Sequence, residues 1–405
     1  MSRDENSPAE NAASLAAASR WSPETEGALG PDSRWASRFA FSMADQNFAL
    51  TRSPGIFKLS SGLAECLAAR PEARPFTLLG NSSLAGCLRL PKTASFRIYD
   101  QPLANRIQRI MWDQGGVYRA ARRCGSEWLV LPKGFASFLQ RCPMKLATYV
   151  HDTMHEFYRT RYPGVMSRAE MFYFQRSLLA SICRSRVIFT NSEFTRSELL
   201  RLAQAHNLTP PEIIAVGIGF ILPAKGEPSR RNRLLVFASP WRHKRTDLAL
   251  AYLAKWHEET QFDGTIEWIG NLPRNLSLPE RPGWILHSRM TEGQFSRVLA
   301  GSRAALYFTE FEGFGMPPVE AVLAGACPVY SSIPATTEVM QGTGCRFENS
   351  SYESFRQALN QALAVTADTV SDWAGQLSRR HNWESVAERC IAGILRADSV
   401  TGRTA

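Results

Sequence analysis

The chain is expected to fold as an α/β protein of two parallel-sheet domains facing across a cleft. Three observations predict this. Short apolar runs alternate with stretches of helical spacing, which implies parallel sheets covered by helices on both faces. The alternation occurs twice, and a polar stretch with Pro and Gly, PAKGEPSRRNR, separates the two halves. The length, 405 residues, suits two domains with full cores.

The elements follow in order. Residues 1–36 are polar and rich in Ala, Ser and Pro, and read as a disordered segment. Residues 37–222 form the first domain. FAFSMA opens it as a strand, and RSPGIFKLSSGLAECLAA passes through a glycine turn into a helix. FTLLG and SFRIYD are further strands, EWLVLP and KLATYV are short apolar runs, and HDTMHEFY follows. MFYFQRSLLASICR has helical spacing, SRVIFTNS is a strand, and EFTRSELLRLAQAH is a helix with Asn191 or Ser192 as its cap. EIIAVGIG closes the domain. Residues 223–231 are the linker. Residues 232–382 repeat the pattern as the second domain: RLLVFAS, TDLALAYLAKWHEE, TIEWIG, GWILH, EGQFSRVLAGS, ALYFTE, CPVYSS, CRFEN and SYESFRQALNQALAV. A C-terminal helix over 383–398 and a tail over 399–405 complete the chain.

Composition narrows the function. Hydrophobic residues make up 44% and charged residues 21%, an ordinary soluble balance. No apolar run approaches bilayer-spanning length. The N-terminus lacks the basic start and apolar core of a secretory signal, so a cytoplasmic protein with reduced thiols is expected. Its eight cysteines include no C-x-x-C, and HDTMH has Asp where a zinc protease needs Glu, so no metal site is expected. GIGF and GFGMPP both lack the glycine pattern of a dinucleotide-binding turn. The net charge is +10. Part of the excess lies in residues 106–145, where Arg106, Arg109, Arg119, Arg122, Arg123, Lys133, Arg141 and Lys145 interleave with Trp112, Tyr118, Trp128, Phe135 and Phe138. Two readings fit that stretch. One is an anionic membrane surface met by basic and aromatic side chains, and the other is a solvated face with its aromatics in the core. Nucleic-acid binding would need a reading motif, and none is present.

The most informative segment is TEFEGFGMPPVEAVLAG, residues 309–325. ALYF before it reads as a buried strand, and VEAVLAG as a short packed helix. Between them lie Gly313-Phe314-Gly315 and the pair Pro317-Pro318. Proline is tolerated in a first helical turn, whose free N–H groups suit a phosphate. Glycines let the backbone come close to it. Glu320 is expected in the first helical turn, where a carboxylate can accept two hydrogen bonds from a ribose diol. Glu312, before the turn, reaches the other end of the same ligand. A phosphate flanked by two hydroxyl-reading carboxylates describes a nucleotide sugar. Upstream, Arg242, His243, Lys244 and Arg245 cluster before a helix and can neutralise a diphosphate. No D-x-D triplet is present to hold a cation there instead.

EGFGMPPVEA, followed by GACPVYSS and Glu338, resembles the E-x7-E signature of the retaining glycosyltransferases of family four. That family has the GT-B fold: two Rossmann-like domains facing across a cleft, with a C-terminal helix that packs back on the first. The segment ASPWRHKRTD is similar to the family's basic box, which implies phosphate contacts from Lys244 and Arg242. His151-Asp152 and NSEFTRSELL match the family's His-Asp pair and the helix start that follows it, which implies a donor-sugar contact from His151 near C6. RSPGIFKLSSGL lies where the family has a glycine loop touching the donor phosphates. Gly55 stands there alone, where the family often has two adjacent glycines. The resemblance implies Glu312 on the donor-sugar hydroxyls, the backbone N–H groups of Phe314, Gly315 and Met316 beside Gly313 nearby, and Glu320 on the ribose. It implies metal-independent transfer with retention, by front-face departure or by double displacement through Glu312. It is closest to bacterial mannosyltransferases of polysaccharide and lipopolysaccharide assembly, so GDP-mannose is the first donor expected. The expected partners are that nucleotide sugar and a glycan or lipid-linked acceptor, with peripheral placement on the inner face of the cytoplasmic membrane. The rivals are a sugar-nucleotide epimerase of related fold and a non-catalytic nucleotide-sugar-binding protein.

Overall fold

A computed structural model describes residues 38–47, 54–221 and 232–401. The expected N-terminal disordered segment, 1–36, and the linker, 223–231, lie outside the described residues.

The first sheet has seven strands, all parallel: β1 (Phe39–Ser42), β2 (Phe76–Gly80), β3 (Ala94–Ile98), β4 (Trp128–Leu131), β5 (Lys145–Val150), β6 (Val187–Thr190) and β7 (Glu212–Ala215), in the order β3-β2-β1-β4-β5-β6-β7. The second has six, also parallel: β8 (Arg233–Ala238), β9 (Thr265–Gly270), β10 (Trp284–His287), β11 (Ala304–Tyr307), β12 (Cys327–Ser331) and β13 (Cys345–Phe347), in the order β10-β9-β8-β11-β12-β13. Strands such as FAFS, WLVL, AALY and CPVYS are buried along their whole length, which is why they read as continuous apolar runs rather than alternating ones. Each sheet reverses its strand order once, between β1 and β4 and between β8 and β11. Ligands of open parallel sheets bind outside the carboxyl ends of the strands at such a reversal.

Local signals set the helices. Ser192 caps the Glu193–Ala205 helix by accepting from the Thr195 N–H at 3.0 Å. Ser167 and Glu170 close a capping box on the Arg168–Arg184 helix. The last helix, Trp383–Thr401, runs past the expected end at 398 and packs back on the first domain. Trp383 seats against Gly62 and Gly219, and Arg396 pairs with Glu212 at 2.8 Å. Asp398 pairs with Lys145 and accepts from Trp128 Nε1 at 3.4 Å.

The basic stretch is sorted by this packing. Trp112, Tyr118 and Trp128 are buried, and the half-buried Phe135 and Phe138 pack against the core, so these aromatics do not form an aromatic surface. Lys133 pairs with Asp45 and Lys145 with Asp398, which removes two cations from the exposed excess. Arg109, Arg119, Arg122 and Arg123 remain exposed. Some apolar side chains of the first domain also face solvent: Ile107 is 70% exposed, Met111 62%, Leu139 72% and Phe172 57%.

Candidate active site

The EGFG segment leaves β11 at the strand-order reversal, and the basic segment leaves β8 next to it. Register fixes this, since Ala304 pairs with Leu234 and Leu306 with Val236. The two loops therefore meet at the carboxyl end of the second sheet, and their side chains lock together. Lys244 Nζ donates to Glu312 Oε1 at 2.6 Å and to the Tyr307 hydroxyl at 2.6 Å. Tyr307 donates to the same Glu312 oxygen at 2.6 Å, and Thr309 Oγ1 at 2.8 Å. Burial pushes the Glu312 carboxyl up, but Lys244, His243 and the Tyr307 hydroxyl outweigh it and hold it below the usual carboxylate range. Glu312 is thus an ionised carboxylate with one oxygen fully engaged.

The turn that follows is built by close approach. A Cβ on Gly313 would overlap the carbonyl oxygen of His151. Gly315 has φ of 86°, and a Cβ there would sit 2.7 Å from Thr336 Cγ2. The Met316–Leu323 helix starts directly after Gly315, with Pro317-Pro318 in its first turn. Glu320 is its fifth residue. The expectation of a first-turn position is therefore corrected, because the helix begins at Met316, before the proline pair. Among the described residues, the Glu320 carboxylate accepts no hydrogen bond. Its nearest cation is Lys58 of the Pro54–Ala69 helix, at 3.9 Å. Burial raises the Glu320 carboxyl, Lys58 lowers it, and Glu292 raises it further. Phe314 is buried against the rings of Phe220 and His381, so it presents only its backbone to the turn.

The first domain supplies the opposite wall. His151 follows β5. Its Nε2 faces the Pro132 carbonyl at 2.6 Å, so this nitrogen donates and Nδ1 carries no proton. Burial lowers the imidazole to about 4, which keeps it neutral at physiological pH. Burial raises the neighbouring Asp152 carboxyl, and both Glu312 and Lys244 act on it electrostatically, which places the His-Asp pair against the locked carboxylate. Asn191 Nδ2 donates to the His151 carbonyl at 2.8 Å. Ser192 Oγ and Thr195 Oγ1 both donate to the Gly313 carbonyl. Glu338 accepts from the backbone N–H groups of Glu193 and Phe194 at 2.7 Å each, and so caps that helix from the other domain. At the first sheet's own reversal, Asp45 and Lys133 pair beside Gln46, whose buried Oε1 has no hydrogen-bond partner among the described residues.

His151, Glu312, Lys244, Gly313, Gly315 and Met316 are therefore brought together. Gly55 joins them across the cleft, since a Cβ there would lie 3.5 Å from Met316 Sδ. Arg242 is placed differently. It is exposed, and its guanidinium lies 5.7 Å over the ring of Tyr162, away from both glutamates. The adjacent Arg245 pairs with Glu310 at 2.7 Å, and Tyr162 donates to the same carboxylate. Tyr158 bonds His243 Nδ1 at 2.8 Å, and Phe157 stacks on Phe311 with ring centroids 4.7 Å apart. Sequence reasoning missed this cross-domain contact, and it missed Lys58. The only trace in the sequence is the aromatic run Phe157, Tyr158 and Tyr162 after the His-Asp pair; Lys58 has none.

No protein-family model and no curated protein sequence matches the chain. Solved structures do resemble it. A sucrose-phosphate synthase from Thermosynechococcus elongatus has a TM-score of 0.64 at 12% identity, over 90% of this chain and 99% of that one. WaaG, a glycosyltransferase involved in lipopolysaccharide biosynthesis, has a TM-score of 0.63 at 14% identity, over 87% of this chain and 98% of that one. TarM has a TM-score of 0.50 at 14% identity over 66% of this chain, which spans only 54% of TarM. Two parallel α/β sheets facing across a cleft, closed by a returning C-terminal helix, and these neighbours together identify the fold of this chain as GT-B.

Proposed function

We propose that the chain is a retaining glycosyltransferase that moves a sugar from a nucleoside-diphosphate donor to a glycan or lipid-linked acceptor. One observation carries the reading. An ionised Glu312 and an open, part-buried Glu320 line one strand–turn–helix unit, with the Lys244 ammonium on the adjoining loop and a neutral His151 facing them across the cleft. Glu320 receives the ribose diol. The backbone N–H groups of Phe314, Gly315 and Met316 and the Lys244 cation receive the diphosphate. Glu312 Oε2 reads sugar hydroxyls while Oε1 stays fixed, and His151 Nδ1 accepts from a hydroxyl near C6.

Three hydrogen bonds on one oxygen, one of them from an ammonium, make Glu312 a poor nucleophile. Front-face transfer is therefore favoured over double displacement. The anomeric C–O bond to phosphate breaks, and the acceptor oxygen bonds to the same face. The acceptor proton passes to the departing diphosphate oxygen. Lys244 offsets the charge that develops there, the work a divalent metal does in other transferases. Retained turnover in excess chelator, with product of unchanged anomeric configuration by NMR, is the expected result. Activity lost with EDTA and restored by Mg²⁺, or donor isomerised with no acceptor present, would overturn the reading in favour of a metal-dependent enzyme or an epimerase.

GDP-mannose is the proposed first donor, on the motif resemblance to bacterial mannosyltransferases, and bacterial surface polysaccharide assembly is the proposed setting. For the acceptor, the exposed Met111, Leu139 and Phe172 support a lipid-linked molecule approached from an anionic cytoplasmic membrane face. Arg109, Arg119, Arg122 and Arg123 lie exposed in the same stretch. Among the described residues, no helix is long and apolar enough to cross a membrane, so attachment there would be peripheral. Sedimentation with anionic vesicles at low salt, lost at high salt, is the outcome that fits.

A further inference from the structure

The second domain does not complete the nucleotide end of the site. Lys58 projects from the first domain's Pro54–Ala69 helix and lies between two second-domain carboxylates, 2.9 Å from Glu292 and 3.9 Å from Glu320. Glu292 opens the Glu292–Ala300 helix, whose Phe295 ring lies 6.0 Å below the same ammonium. Glu320 is three-quarters buried, and its side chain is only 23% exposed. It accepts no hydrogen bond among the described residues.

We propose that Lys58 is a positioning residue of the donor site: it crosses the cleft to hold Glu320 ionised and aimed for the ribose diol, so that tight nucleotide binding requires the closed pair of domains. This deepens the glycosyltransferase reading and rests on it.

Glu320 and Glu292 share one cation, so removing Lys58 leaves two like charges facing each other beside a ligand that is itself an anion. A carboxylate that takes up a proton under that repulsion loses an acceptor position and can no longer accept both ribose hydroxyls. The second domain cannot relieve this alone, since Lys244 is committed to Glu312 and Arg245 to Glu310. Gly55, one turn earlier on the same helix, reaches Met316, so the helix that carries Lys58 is already seated against the start of the Glu320 helix. Closure therefore completes the site rather than only covering it.

The test is a double-mutant cycle read by calorimetric titration with GDP, UDP and ADP. Lys58→Met should weaken the preferred nucleotide about five- to tenfold, and Lys58→Arg should restore most of the loss. In a Glu320→Gln background, Lys58→Met should cost nothing further, because its effect is exerted through Glu320. Thermal melting of each variant reports folding. A structural role alone would lower the melting temperature without this non-additivity. Unchanged affinity in Lys58→Met, or equal losses in both backgrounds, would overturn this inference and leave the glycosyltransferase reading standing. Failure of the wild-type protein to bind any nucleoside diphosphate would overturn both.

Discussion

Glu312 and Glu320 stand at the two ends of one strand–turn–helix unit and are held in opposite ways. Glu312 is locked: three donors converge on Oε1, and the lysine beside it keeps it charged. Glu320 is open: its nearest cation stands 3.9 Å away in the other domain, and burial raises its carboxyl. The locked carboxylate has one oxygen fully engaged before any ligand arrives, whereas the open one has no donor on either oxygen among the described residues. A preorganised charge suits the reacting end of a donor, where a charge must be stabilised without rearrangement. A part-buried acceptor with no protein donor suits a recognition end, because a bound diol satisfies it and the protein alone does not.

The largest effect should come from breaking the lock. Lys244→Met leaves Glu312 buried with no cation beside it, and destabilises the fold by about 3 kcal/mol. Its pH dependence has a definite sign. In the wild type the Glu312 carboxyl is depressed on folding, so it contributes stability above the ordinary carboxylate range and loses it as the pH falls through its lowered value. The gap between wild type and variant in urea denaturation should therefore be widest near neutrality and close in acid. A gap independent of pH would mean that Lys244 acts by packing alone, and the contrast between the two glutamates would fail.

Glu320→Ala should behave in the reverse manner. It removes a carboxylate that costs folding energy, so the melting temperature holds or rises. It also removes a charge-assisted diol contact of about 1.5–3 kcal/mol, so nucleotide affinity falls roughly ten- to hundredfold. Lower stability with unchanged affinity would assign Glu320 to the fold and not to the ligand.

The contrast also marks how far the sequence could be read. The strand–turn–helix unit was legible because each part has a local cause: an apolar run, glycines that must admit another backbone, prolines in a first turn. The same holds for Ser192 as a cap and for the sheets read from alternation. Lys58 was not legible, because a lone lysine on an amphipathic helix has no local signature, and its role depends on which helix of the other domain lies opposite. Arg242 shows the converse failure. Sequence placed it in the basic cluster, but the short turn at Arg242–Lys244 points successive side chains in different directions. Lys244 turns inward and Arg242 outward over Tyr162. The aromatics of 106–145 left two readings open for a related reason. Interleaved charge and aromaticity describe a helix with one buried face as well as an interfacial surface, and only packing separates the two.

The smallest predicted effect is also the most specific to the difference between the two carboxylates. Because burial and Glu292 raise Glu320 while Lys244 depresses Glu312, acid should protonate Glu320 first. Donor affinity is then full above the raised Glu320 value and falls as the pH drops through it, beginning above the ordinary carboxylate range. His151 and His243 do not blur this window, since burial holds both at about 4 and they stay neutral across it. An intact nucleotide sugar is the proper probe, because its diphosphate carries no titrating proton near neutrality. Titrations from pH 8 downward into acid should show affinity falling as Glu320 takes up its proton. Glu320→Gln should bind more weakly throughout and show a flat profile, because an amide has no proton to gain in this range. Lys58→Met should move the fall to higher pH, because the cation that opposes protonation is gone. A fall that persists unchanged in Glu320→Gln would place the titrating group elsewhere in the cleft and break the assignment of the open carboxylate to the nucleotide.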